Sequence, residues 1–338
     1  MSVPFNILHS FLQEHQIPGA TAALLRNGEL EFMGAAGCED LQGQSPLDPQ
    51  AIFPIFSVTK TLIAALVLKL ARAGTFTLDD AMQMHFPELE PLPAFTFRQV
   101  LMHTSGLVDY GALAGYHAAL RTQPLKPWSD AEHLQLALSR RLLFEPGTGF
   151  AYSNIGYMLL KQWIESQARE TFASACKTHL FDPLGLKSTF VLESLEDMQT
   201  LTPGFSDLWN GEMQDLRSSY PPQWVAHGLV ASSARELALL IDALFTAQLL
   251  TPLELGAMQN GFVVAEHHPI FEVPAYGLGL MLDGLRHAVM GHGGGGPGYS
   301  IGALHWPDQH GDSLTCVTML NRDGDWGLEL SHQLGSSV

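Results

Sequence analysis

Ser57 and Lys60 stand three residues apart in "FSVTKTLIAALVLKLARAG", Phe56 to Gly74. Beyond its first turn this stretch reads as a helix that is apolar almost all round, with Leu62, Ile63, Ala64, Ala65, Leu66, Val67, Leu68 and Leu70. Such a helix belongs in a domain interior. A helix start offers free N–H groups and the positive end of the backbone dipole, which favour negative charge developing on Ser57. Residues three apart share a helix face, so the Lys60 amine can reach the Ser57 hydroxyl. Burial disfavours the ammonium form, and an amine so perturbed can accept the serine proton. The plainer reading is an N-cap serine and a lysine that snorkels to solvent. Ser-x-x-Lys alone does not decide between the two.

Two further stretches add chemistry. In "FEPGTGFAYSNIGYMLL", Tyr152-Ser153-Asn154 follows a Pro-Gly-rich loop and precedes a helix. A tyrosine there serves as general base if a cation such as Lys60 stabilises its phenolate. Asn154 offers a donor and an acceptor to a substrate carbonyl or amide. Structurally, the same residues read as a packed aromatic and a helix cap. In "GHGGGGPGYSIGALHW", successive glycines let the backbone approach a ligand closely. The Gly295 N–H can pair with that of Ser57 as an oxyanion hole. His292 can orient the polar end of a substrate. A flexible glycine turn with a surface histidine is the bland alternative.

The elements that must hold these residues follow from the rest of the chain. It has 338 residues, 46% hydrophobic, with 34 acidic against 17 basic side chains and a net charge of −17. That balance argues against nucleic acid and anionic membranes as partners. No apolar run reaches the length of a membrane span. The first residues lack a secretory leader pattern, so the expected location is cytoplasmic, or periplasmic if a leader has been removed. Cys38, Cys176 and Cys316 form no metal spacing or disulfide framework. There is no His-Glu-x-x-His motif, and no metal or cofactor is expected.

The opening residues read as an amphipathic helix with Phe5, Leu8, Phe11 and Leu12 on one face. "ATAALLR" and "ELEFMGAAG" are strands joined by an Asn27-Gly28 hairpin turn. Asn210-Gly211 marks a second hairpin. "AEHLQLALSRRL", capped by Ser129 or Asp130, "NIGYMLLKQWIESQARE", "ARELALLIDALF", "PLELGAMQN" and "WGLELSHQLG" are helical. "AYGLGLML", "HAVMGHGG", "YSIGALHW" and "DSLTCVTML" are strand-like. The expected architecture is α+β in one domain over 1–338. A sheet region over about 1–77 and 202–338 carries an inserted helical lobe over about 78–201, with the active site in the cleft between them.

Taken together, the three motifs resemble the penicillin-recognising serine hydrolases. The match is to the branch of class C β-lactamases, D-alanyl-D-alanine carboxypeptidases, D-aminopeptidases and β-lactamase-like (family VIII) esterases. That family carries Ser-x-x-Lys, Tyr-x-Asn and Lys/His-x-Gly in this order, here Ser57–Lys60, Tyr152–Asn154 and His292-Gly293-Gly294. The flanks "IPGATAALLRNGEL", "LMHTSGL", "FDPLGLKST" and "HGLVASSARELALL" match as well, so the resemblance spans nearly the whole chain. It implies an antiparallel sheet flanked by helices, an acylated Ser57, Lys60 as its proton partner and Tyr152 as general base. It also implies substrate contacts from Asn154, His292, Gly293 and Gly294, and an oxyanion hole from the Ser57 and Gly295 amides.

The third motif departs from the Lys-Thr-Gly of class C β-lactamases. A mostly neutral histidine and a glycine offer a carboxylate less charge and one hydroxyl fewer. Hydrolysis of small esters or amides therefore ranks above class C-like β-lactamase or D-alanyl-D-alanine carboxypeptidase activity. A non-catalytic ligand-binding scaffold is the reading from another class. Gly298-Tyr299-Ser300-Ile301-Gly302 mimics the Gly-x-Ser-x-Gly elbow, but that elbow needs a strand, a sharp turn and a helix. "YSIGALHW" continues as a strand. The expected partner is a small-molecule substrate, and the sequence leaves the oligomeric state open. The loops Leu107–Trp128 and Pro203–Trp224, with Trp128, Trp209 and Trp224, are expected to shape the pocket.

Overall fold

The computed structural model describes residues 2–74, 76–264 and 267–338. Strand β1 (Gly19–Arg26) turns into β2 (Glu29–Gly37) through Asn27 and Gly28, both with positive φ, as a type I′ turn requires. Short β3 (Ile52–Pro54) leads into a 3₁₀ turn, Phe56–Val58, and then the helix Thr59–Ala71. Among the described residues, the long middle of the chain contributes one strand, β4 (Phe190–Leu192), besides an isolated bridge between Ala81 and Thr96. β5 (Phe205–Ser206) and β6 (Gln214–Asp215) form the hairpin expected at Asn210-Gly211. β7 (Leu229–Ser233) pairs with β3 on one side and β4 on the other.

The main sheet is completed by β8 (Phe262–Val263), β9 (Pro274–Tyr276), β10 (Met281–Asp283), β11 (Met290–Gly296), β12 (Tyr299–Gln309) and β13 (Asp312–Leu320). Its order is β2-β1-β13-β12-β11-β10-β9-β8, and every pairing is antiparallel. The fold is thus the expected α+β arrangement, a sheet closed by strands from both ends of the chain.

Period-two alternation sends side chains to two cores. From β1, Ala20, Ala22 and Leu24 join Leu8, Phe11, Leu330 and Leu334 of the helices Val3–His15 and Trp326–Gly335. Ala23 and Leu25 face the other way, toward Leu237, Ile241 and Leu244 of the helix Ala234–Phe245. Ser233 caps that helix by accepting the Glu236 N–H.

The helix Thr59–Ala71 lies between this sheet and the helical middle of the chain. Every residue from Thr59 to Leu68 is buried. Leu62, Ile63, Leu66, Val67 and Leu68 together contribute on the order of 10 kcal/mol as an upper figure. That offsets the several kcal/mol which burying one amine costs. The helix Asn154–Ala168 packs along it, with Trp163 tilted against Phe76 and edge-on to Phe97.

"AYGLGLML" differs from the single strand its residues suggest. It is β9, a turn, then β10, with Gly279 at φ +64°. The chain turns there to meet the buried helix, where the Thr61 hydroxyl donates to the Gly279 carbonyl at 2.7 Å. A Cβ on Gly279 would lie 2.7 Å from the Lys60 carbonyl oxygen. Among the described residues, no helix is long and apolar enough to cross a membrane, and Cys38, Cys176 and Cys316 are free thiols.

β11 presses directly on the turn that carries Ser57. A Cβ added at Gly294 would sit 2.2 Å from the Ile55 carbonyl oxygen. Gly294→Ala is expected to cost about 1–3 kcal/mol by forcing strand and turn apart. Gly115, in the helix Ala114–Thr122 with nothing near its missing Cβ, should accept alanine without loss. Urea unfolding of the two variants checks this, and equal stabilities would contradict it.

Candidate active site

Ser57 is the middle residue of the Phe56–Val58 turn, preceded by Phe56 at φ +44°. A positive φ on a non-glycine residue is strained and persists only where packing enforces it. Here the Phe56 ring is wedged against Tyr220, Tyr299 and the bare face of Gly296. Further restraint comes from backbone pairing. The Ile55 N–H donates to the Val230 carbonyl at 2.8 Å, and the Val230 N–H donates to the Thr59 hydroxyl at 3.3 Å.

Lys60 is fully buried one turn on. Its Nζ lies 3.2 Å from Ser57 Oγ and 2.6 Å from Asn154 Oδ1. It also lies 3.2 Å from His227 Nε2 and 3.5 Å from His227 Nδ1. Desolvation drives its pKa well below that of an ordinary lysine, and the Asp109 carboxylate opposes the shift only in part.

Asn154 begins the helix Asn154–Ala168, whose cap is Ser153, accepting the Gly156 N–H. Asn154 is therefore not the cap. Its backbone N–H and its Nδ2 both donate to Asp109 Oδ1, at 2.9 and 3.0 Å. This fixes the amide so that Oδ1 faces Lys60. Burial raises the pKa of Asp109, while the Asn154 bonds and Lys60 lower it.

Tyr152 presents its ring face to Lys60, with Nζ 4.8 Å from the ring centroid. The His103 ring backs it at 4.2 Å, and His103 Nδ1 accepts the Ser153 N–H at 3.1 Å. Burial pushes the Tyr152 phenol above its ordinary pKa, although its bond with Ser57 pulls the other way and the Asp109 charge adds to the rise. The phenol therefore keeps its proton in the resting site. A tyrosine base of the kind read from the sequence needs a cationic Lys60 beside its phenolate; the burial of both side chains favours a neutral amine and a protonated phenol.

His292 is buried on β11. Its Nε2 meets the Tyr276 hydroxyl at 2.8 Å, and its Nδ1 faces the Gly293 carbonyl. With Nδ1–H donating to that carbonyl, Nε2 accepts from Tyr276. Desolvation lowers its pKa to about 3, so it is a neutral, doubly engaged ring. Gly293, Gly294 and Gly295 follow it along the cleft wall, and Gly295 is exposed there.

The cleft has two lobes that share Ser57. One, of about 440 Å³, is lined by Tyr152, His292, the β11 glycines, Asp323 and Asp325. The other, of about 270 Å³, is aromatic, with Tyr110, Tyr116, Tyr220 and Trp224 beside His227. Among the described residues no Lys or Arg lines either lobe. Arg322, beside Asp323 in sequence, turns away to donate to the His15 and Gln16 carbonyls. Of the three expected tryptophans, Trp224 lines the cleft, while Trp128 and Trp209 stand behind it against Trp224 and Tyr220.

Ser300 lies in β12 with its Oγ accepting the Gly327 N–H at 2.8 Å, so no nucleophile elbow is present there. Among the described residues, no group of three His, Cys, Asp or Glu side chains is placed to hold a metal ion. Asp109, His227 and Tyr276 were not singled out from the sequence. His227 opens the flank "HGLVASSARELALL" but carries no motif spacing of its own there, and Asp109 lies just beyond "LMHTSGL".

The beta-lactamase family model matches residues 6–331. The esterase EstB of Burkholderia gladioli is 30% identical over 188 residues, which cover 52% of this chain and 47% of that protein. A D-aminopeptidase of Cereibacter sphaeroides is 24% identical over 329 residues, covering 95% and 59%. The chain thus spans about half the length of these curated relatives. A D-stereospecific amidohydrolase from Streptomyces sp. superposes with a TM-score of 0.80 at 27% identity, covering 95% of this chain and 94% of that one.

His292 also yields a stability prediction. Its folded pKa lies below the unfolded value of about 6.5. The unfolded chain therefore takes up a proton first as pH falls. The stability from the neutral ring is complete above pH about 6.5 and is lost toward acid at about 1.4 kcal/mol per pH unit. Between pH 7 and 5, His292→Asn should lose about 2 kcal/mol less than the unmodified protein does in urea unfolding. Identical pH slopes would overturn this.

Proposed function

The chain belongs to the beta-lactamase family, and on that premise we propose that it is a serine acyl-hydrolase of small esters and amides, D-amino acid amides among them, acting through an acyl-enzyme on Ser57. The observation that carries this reading is the buried Lys60 amine within hydrogen-bonding distance of both Ser57 Oγ and Asn154 Oδ1. The substrate class is supported by the names of the esterase, aminopeptidase and amidohydrolase relatives.

In acylation, Ser57 Oγ forms a bond to the substrate carbonyl carbon and passes its proton to Lys60 Nζ. The carbonyl oxygen becomes an oxyanion held by the Ser57 and Gly295 amides. The bond to the leaving alcohol or amine breaks as Tyr152 donates its proton, and Lys60 returns a proton to Tyr152. A neutral amine and a protonated phenol are the forms this order needs, and burial favours both. In deacylation, water gives a proton to the same pair as its oxygen adds to the acyl carbon, and the pair returns a proton to Ser57 Oγ as the bond to the serine breaks. Asn154 contacts the substrate while holding Lys60, and Gly293 and Gly294 with His292 form the wall against which it lies.

Carboxylate-bearing β-lactams rank lower. Among the described residues no Lys or Arg lines the lobes, whereas Asp323 and Asp325 do. A charge-assisted hydrogen bond forgone costs about 1.5–3 kcal/mol, so kcat/KM for nitrocefin should fall on the order of 100-fold below that for a p-nitrophenyl ester.

Fluorophosphonate labelling followed by mass spectrometry tests the nucleophile. An adduct on Ser57, p-nitrophenyl ester hydrolysis abolished in Ser57→Ala and hydrolysis retained in Ser300→Ala are the expected results. Failure to label, together with an active Ser57→Ala variant, would favour a non-catalytic scaffold or another nucleophile.

A further inference from the structure

We propose that His103 is a positioning residue for the proton donor of the reaction: it holds the backbone on both sides of Tyr152, and so sets where the phenol stands when the leaving group departs. This deepens the acyl-hydrolase reading and rests on it.

Tyr152 lies in the loop that runs into the helix Asn154–Ala168. The peptide N–H groups on either side of it donate to one and the same residue. The Ala151 N–H donates to the His103 carbonyl at 2.9 Å, and the Ser153 N–H donates to His103 Nδ1 at 3.1 Å. The imidazole then packs on the Tyr152 ring, with centroids 4.2 Å apart, while Tyr276 at 4.7 Å and Tyr157 at 5.0 Å hold it from other sides. Main chain and aromatic ring of Tyr152 are thus placed together by a single residue.

The arrangement is costly in two ways. His103 has φ +57°, in the left-handed region that a residue with a Cβ seldom adopts. A neutral ring that accepts at Nδ1 carries its proton on Nε2, and that atom is buried with no hydrogen-bond partner. Backbone strain and unpaired buried donors both lower stability, and they persist where function requires them. Desolvation, with Lys60 and His292 nearby, keeps the ring uncharged, so the Nδ1 acceptor is preserved.

The consequence falls on one step. When the bond from the carbonyl carbon to the leaving oxygen or nitrogen breaks, Tyr152 gives its phenolic proton to the departing atom. A p-nitrophenolate can depart as the anion and needs that proton little. An alkoxide or an amine cannot depart without it. A displaced phenol therefore penalises poor leaving groups selectively.

The test measures kcat/KM for p-nitrophenyl, phenyl and ethyl butyrate, which share an acyl group and differ in the leaving alcohol. His103→Gly and His103→Leu both remove the Nδ1 acceptor, the first without backbone strain and the second without a large cavity. His103→Asn keeps an acceptor at that place and tolerates a positive φ. In the Gly and Leu variants the ethyl ester should lose about 10–100-fold and the p-nitrophenyl ester less than about threefold. The dependence on leaving group thus becomes steeper, which a general loosening of the fold would not produce. His103→Asn should recover most of the ethyl ester rate. Thermal melting shows which variants are folded. Equal losses on all three esters in a folded variant overturn the proposal. So does a folded His103→Asn variant that discriminates against the ethyl ester as strongly as His103→Gly or His103→Leu. An unmodified protein that hydrolyses none of the esters and takes no fluorophosphonate on Ser57 overturns the acyl-hydrolase reading itself, and this inference with it.

Discussion

A single amine taken out of water sets the terms for everything around it. Lys60 is fully buried, and its compensation comes from the polar groups of Ser57, Asn154 and His227 around it, with the Asp109 carboxylate beyond. A buried ammonium without partners would cost more than the fold can spare. The neutral amine is less expensive, and it is also the form that accepts a proton. Reactivity and stability are therefore set by the same burial.

That burial requires three separate parts of the chain to meet. The helix Thr59–Ala71 brings the serine and lysine, the start of the helix Asn154–Ala168 brings the amide, and the approach to β7 brings the imidazole. Each is held by something outside the site. Asp109 fixes the amide, the β3–β7 pairing fixes the imidazole, and the strained Phe56 wedge fixes the serine turn. The glycines of β11 let a fourth part close on the turn from the sheet side. Any side chain at Gly294 or Gly296 would hold that strand away from Ile55 and Phe56.

Local spacing made part of this legible from the sequence. Ser57 and Lys60 share one helical turn, Tyr152 and Asn154 share one loop, and Asn27-Gly28 announced its hairpin. The motif residues do gather round one cleft. What stayed hidden depends on contacts between distant residues. Asp109 is 45 residues from the Asn154 it orients, and His227 is 167 from Lys60. Neither lies within any local pattern. The protonation of Tyr152 was equally out of reach, because it is decided by how completely the ring is buried. The break between β9 and β10 arises from packing against the nucleophile helix rather than from the residues Ala275 to Leu282 themselves.

The sheet has its first strand hydrogen-bonded to its last: β1 lies between β2 and β13, with Ala20 opposite Leu320. Translation delivers those two partners far apart, with some three hundred residues between Ala20 and Leu320. The β1–β2 hairpin must therefore wait, with one edge unpaired, until β13 has emerged. Ser57 is made well before the glycine strand β11 that walls its cleft. The cleft around Ser57 therefore stays incomplete until β11 joins the sheet.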